Sequence, residues 1–213
     1  MNSILDLFSF IFSKLAVATL FLPIVAVLIA RKRNVELNRD LKLFEFYVYV
    51  TLTLQLVAYV LNMGLGLPNI ILFRLYLPFH TVVFTYFLLK WLLGKNKNTI
   101  LLISFSLIIS VSGDLIFDDI NNFPYFMLVF DAVLLFILSF IVSFFNDKRK
   151  HQLSNEYNFI HIGIYFYSLL TLIGFTITQT GYMHVGFFLQ AIAVIISNYY
   201  FTRSFVCLFH SRG

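Results

Sequence analysis

Arg74, His80, Asp114 and Asp131 lie in or at the ends of long apolar runs, where an ionisable side chain is hardest to carry. A charge at mid-membrane costs about 3 kcal/mol or more unless it is paired or hydrated. Carboxylates set beside an imidazole or a guanidinium can share a proton or bind a polar solute. Asp131 is the sharpest instance. It sits some eight residues into its run, ~12 Å deep at 1.5 Å per residue. Its helical neighbours Met127, Leu128, Leu134 and Leu135 offer no partner, so one must come from another helix. Arg74 and His80 enter their run from the same side, and either could reach it. Asp114 and His184, at the corresponding ends of two further runs, complete the group. One reading has Arg74 or His80 neutralise Asp131 and pin two helices together. The other has the group bind a substrate, a proton or a metal. The spacing assigns no metal centre and commits to no catalytic residue.

Polar stripes at alternating three and four spacing run beside these charges. They are Thr51, Gln55, Ala58 and Asn62; Arg74, Pro78, Thr81 and Thr85; and Gly186, Gln190, Ala193 and Ser197. Such lines avoid lipid, so they predict interior faces, used for helix packing or for lining a polar cavity. Asp114 shares one helical face with Ser110 and Ser106. Asp118 and Asp119, with Asn121, Asn122 and Pro124, read as turn chemistry. Glu45 and His161 start their runs near the opposite surface, where snorkelling or a surface ion pair accounts for them.

The elements that must position these groups are membrane helices. Of 213 residues 60% are apolar and 12% charged, with a mean hydropathy of +0.89. A soluble domain carries about 25% charged residues, and 27 Phe suit a surface that faces lipid. Seven stretches reach the ~20 residues that a crossing helix needs: 8–30, 43–63, 70–92, 99–117, 123–145, 158–178 and 184–208. The expectation is an all-α, polytopic seven-helix bundle forming one domain over 1–213, with no soluble domain. A barrel would alternate every second residue, and these runs do not. The single Cys207 excludes an internal disulfide.

Thirteen of the fifteen Lys and Arg residues fall on one side of these spans, in the loops around Arg31, Lys95 and Arg149 and at the C-terminal end. The positive-inside rule then places the N-terminus outside and the C-terminus in the cytoplasm. The charge of +5 is a topology signal, and no nucleic-acid partner is implied. Basic residues follow the first run rather than preceding it, so a cleavable signal peptide is not expected. Residues 31–93 superpose on 147–209 without a gap, which suggests a 3+1+3 pseudo-repeat. Seven of the sixty-three positions are identical, no more than chance between Leu-rich segments, so the match lies in spacing alone.

Gly-rich phosphate loops, nucleophile elbows, HExxH helices and paired-Cys motifs are absent from the sequence. The last run has no Lys, which excludes a retinal Schiff base, and no cofactor is expected. Through NIILFRLYLPFHTVVFTYFLLKWL (69–92), FIHIGIYFYSLLTLIGF (159–175) and LQAIAVIISNYYFTRSF (189–205), the chain resembles an uncharacterised family of small seven-helix membrane proteins of Gram-negative bacteria. That resemblance implies a bacterial plasma-membrane location and no activity. SLIISVSGDL (106–115) resembles the Ser-rich helix ending in Gly-Asp of lysoplasmalogenase-like membrane hydrolases. It implies a hydrolase using Asp114 and Asp131, but the His expected on the next helix is missing from 123–145. The leading expectation is a non-enzymatic protein of the bilayer that binds a small ligand or a membrane-protein partner, as a sensor or accessory subunit. A small-solute transporter and an intramembrane lipid hydrolase are the alternatives.

Overall fold

A computed structural model describes residues 2–66, 68–94, 97–119, 122–148 and 153–210. Lys95, Asn121, Arg149, Lys150 and Arg212, which enter the charge and turn readings above, lie outside them. Among the described residues eight α-helices follow in order: α1 (Asn2–Thr19), α2 (Phe21–Lys32), α3 (Arg39–Tyr59), α4 (Ile70–Leu93), α5 (Lys97–Phe117), α6 (Tyr125–Lys148), α7 (Asn155–Gln179) and α8 (Met183–His210). The chain is all-α, and seven of its helical stretches are long and apolar enough to cross a membrane, which is the build of a membrane protein. They span Phe10–Lys32, Arg39–Asn62, Ile70–Leu93, Asn98–Phe117, Tyr125–Phe145, Asn155–Gln179 and Met183–Leu208.

The first expected run is two helices, α1 and α2, with a turn at Leu20. Pro23 explains the break. It has no N–H to give residue 19, and its ring crowds that residue's carbonyl, where α1 stops. α3 ends in a π turn over Val60–Gly64. α4 continues through Pro78, which leaves the Arg74 carbonyl without its usual helical donor.

The α5 side chains are arranged inside out. Ile100, Leu101, Phe105, Ile108, Leu115 and Ile116 are exposed, whereas Thr99, Ser106, Ser110, Gly113 and Asp114 are buried. An apolar exterior over a polar interior suits hydrocarbon as the solvent, where only the inner face can satisfy polar atoms.

Two compact units result, Met1–Val48 with Arg149–Gly213, and Tyr49–Lys148. In the first α8 packs with α7, α1 and α2, and in the second α4 packs with α5 and α6. In the first unit α8 lies along α7 through small residues. A Cβ on Gly163 would come within 2.6 Å of the Phe201 ring, and one on Gly174 within 2.9 Å of the Gly186 carbonyl. Phe44 stacks on Phe205 and meets Phe201 edge-on in the same core. In the second unit Leu77, Phe84, Phe87, Leu88 and Leu135 fill the apolar interior.

Candidate functional site

The second unit holds Arg74, His80, Asp114 and Asp131, and α4 is the hub. Arg74 lies in the second turn of α4, and its Nη1 donates to Oδ2 of Asp114 near the end of α5. Its Nη2 donates to the carbonyls of Asp119 at 2.6 Å and Asn122 at 3.1 Å. One guanidinium thus ties α4 to α5 and holds the turn that leads into α6. A planar fork of donors suits that task, because it can serve a carboxylate and two carbonyls together. Asp118 secures the turn from the other side by accepting a 2.7 Å hydrogen bond from the Phe126 N–H in the first turn of α6. The turn-chemistry reading of Asp118 therefore holds.

Gly113 explains the Gly-Asp pair at the end of α5. A Cβ there would collide with the Phe126 ring of α6. Gly113 lets that ring seat, and the next residue turns its carboxylate to Arg74.

About two turns further along α4, His80 and Thr81 face Asp131 of α6. Thr81 Oγ1 lies 2.8 Å from Asp131 Oδ1 and 2.9 Å from the Leu77 carbonyl, and its single proton serves one of them at a time. His80 Nε2 is 3.5 Å from Asp131 Oδ2, long for a hydrogen bond but within ion-pair range. The other ring nitrogen, Nδ1, is 3.0 Å from the Tyr76 hydroxyl. Asp131, His80 and Thr81 are all 1% exposed or less. Of the two residues expected near Asp131, His80 is the one that lies beside it, and Thr81 makes the hydrogen bond. Arg74 pairs with Asp114 instead, because its place near the start of α4 matches the far end of antiparallel α5.

Below this level, the buried hydroxyls of Thr85 on α4 and Ser110 on α5 make no hydrogen bond among the described residues. Beside α4, Gln55 and Ala58 of α3 with Leu72, Phe73 and Tyr76 line a cleft of about 10 Å³, room for one water. Asn62, expected inside with Gln55, is exposed. It lies in the π turn, whose wider winding carries it off the Thr51–Gln55–Ala58 face.

In the first unit, Gln190 and Ser197 take part in helix packing. The Gln190 Cγ lies 3.4 Å from where a Cβ on Gly174 would stand. Ser197 Oγ donates back along its own helix, to the Ala193 carbonyl at 2.7 Å. His184, expected with the charged group, is exposed in the first turn of α8. Among the described residues, no three His, Cys, Asp or Glu side chains converge as metal ligands would.

Glu45 is the residue whose importance the sequence understated. Its side chain is 5% exposed and lies 2.6 Å from Nη2 of Arg31, which is 63% exposed. The pair sits in a cleft of about 780 Å³ between the end of α2 and the start of α3. The near approach of Arg31 and Glu45 in the chain, across a basic loop, was the available signal. Comparison of the chain with protein-family models, with curated proteins and with solved structures finds no match.

Proposed function

We propose that this chain is a non-enzymatic protein of the bacterial plasma membrane, with its N-terminus outside, acting as a ligand-binding, sensory or accessory component. One observation carries the non-enzymatic part. The two carboxylates available for proton transfer, Asp114 and Asp131, are held apart by separate partners, Arg74 on one side and Thr81 with His80 on the other. Two acid–base residues of one reaction must reach the same substrate. Here each ties α4 to a different helix.

The test is three assays on the purified protein in liposomes: lysophospholipid turnover, solute flux, and co-purification of a membrane partner from its own cell envelope. The expected outcome is a stable partner or ligand without turnover or flux. Turnover abolished by Asp114→Asn would establish a hydrolase in its place.

Transport is the second reading, and the unbonded hydroxyls of Thr85 and Ser110 favour it. They continue the polar line begun by Asp114, Thr81 and Asp131 with groups that water or a solute could use. Flux that is lost in Gln190→Ala or Arg74→Gln, with the helical content unchanged, would favour this reading over the first.

A further inference from the structure

The cleft beside Glu45 is a built site. The α2 helix ends in a Schellman closure, with the Val35 N–H on the Ala30 carbonyl at 3.1 Å and the Asn34 N–H on the Arg31 carbonyl at 3.0 Å. Asn34 takes the left-handed position of that motif at φ 53°. Asn38 caps α3, its Oδ1 accepting from the Leu41 N–H at 3.0 Å. Both ends of the connecting loop are thereby fixed. Its volume of about 780 Å³ lies within the 300–1,000 Å³ range of small-molecule sites.

Arg31 and Lys42 supply two cations to the lining, and Glu36 and Glu45 two anions. A lining without net charge but rich in both signs suits a ligand that is itself neutral overall and carries both signs. One wall carries a nearly buried carboxylate, and the guanidinium paired with it is more than half exposed, so solvent can receive it if a ligand displaces it. A ligand cation that replaces Arg31 there must donate hydrogen bonds, because a buried carboxylate left without donors is costly. A primary ammonium does so. A quaternary ammonium has no N–H and is recognised by aromatic cages, and among the described residues none that lines this cleft is aromatic. The displaced Arg31, with Lys42, suits a phosphate next to that ammonium. The cleft lies between the end of the apolar span Phe10–Lys32 and the start of Arg39–Asn62, and helices of about 20 residues use up the hydrocarbon thickness, so their ends fall among lipid headgroups.

We propose that this cleft binds the phosphoethanolamine headgroup of a membrane lipid, with the ammonium on Glu45 and the phosphate between Arg31 and Lys42. The inference is independent of the reading of the Asp114 and Asp131 clusters. It is tested on the full-length protein in detergent, titrated with phosphatidylethanolamine, phosphatidylcholine and phosphatidylglycerol of matched acyl chains and read by native mass spectrometry.

Phosphatidylethanolamine is expected to bind about ten-fold tighter than phosphatidylcholine, the ratio that one charge-assisted hydrogen bond sustains. Soluble glycerophosphoethanolamine is expected to compete, which assigns the preference to the headgroup. Glu45→Gln should bring the two lipids within about two-fold of each other. Because that variant also loses its pairing with Arg31, Lys42→Ala on the exposed rim tests the phosphate side with the fold undisturbed. It should weaken phosphatidylethanolamine binding and leave the preference over phosphatidylcholine in place. Equal affinity for the two lipids, a preference that survives Glu45→Gln, unchanged binding in Lys42→Ala, or failure of the soluble headgroup to compete would each overturn the assignment.

Discussion

Arg74 shows what a single side chain decides in this fold. Its guanidinium is 12% exposed and the Asp114 carboxylate 3%. Removing one partner therefore leaves a charge where nothing solvates it. Arg74→Gln is expected to cost about 3 kcal/mol, the scale for breaking a buried pair from one side. The double variant Arg74→Gln, Asp114→Asn should recover part of that loss, which a double-mutant cycle of unfolding in detergent measures. Ser197→Ala is the contrasting case. Its hydroxyl bonds only within α8, so the change should stay within about 0.5 kcal/mol. In the sequence both residues belong to polar stripes, and Arg74 stood out by its charge. The depth of Asp131 was legible because helical rise converts residue count into distance. The choice of His80 over Arg74 as its neighbour was not: the two lie ~9 Å apart along α4, but the long arginine side chain spans much of that, and which helix each one faces is set by packing.

At the level of elements, glycines set how closely helices approach. A Cβ on Gly186 would collide with Thr178 Oγ1 and stand 2.5 Å from the Gly174 carbonyl. Backbone cannot yield as a side-chain tip can, so α8 would have to lift off α7. Gly186→Ala is expected to destabilise the protein by about 1–3 kcal/mol, the range for overpacking. The same substitution at the exposed Gly181, in a left-handed turn at φ 90° with nothing near it, removes no packing and acts only through local strain. Comparing the two unfolding transitions separates close approach from backbone conformation. The stripe Gly186–Gln190–Ala193–Ser197 announced an interior face, and α7 occupies it. The stripe over Thr51–Asn62 misled at its end, because periodicity assumes unbroken α winding and the π turn changes it.

For the whole molecule, hydropathy and charge make one joint statement. On the topology proposed above, with all seven spans crossing, the turn at Asn122 faces outside and Cys207 faces the cytoplasm. A cysteine introduced at Asn122 in a Cys207→Ser background is expected to react with an impermeant maleimide from outside intact cells. The native Cys207, half-buried near the end of α8, should react only after the membrane is opened. Labelling of both from one side would contradict the odd number of crossings. The even spacing of the spans suggested a 3+1+3 pseudo-repeat, and the compact units are a separate matter: they group α1 and α2 with α8 and its neighbour α7, and α4 with α5 and α6. Spacing along the chain records membrane thickness, which is equal for every span and so carries no record of which helices become neighbours.

The amino-acid sequence alone determined the class, the seven spans, their boundaries to within a few residues and the helices that would carry buried charge. All of these follow from the cost of placing polar groups in hydrocarbon, a property of each segment taken by itself. Tertiary structure decided the pairings: Arg74 with Asp114, Asp131 with Thr81 and His80, and Arg31 with a buried Glu45. It also decided that Gly113 admits the Phe126 ring and that Asn62 and His184 face outward. Pairing depends on how one helix is turned and set against another. That is fixed by the fit of small residues and rings across an interface, which no single segment contains.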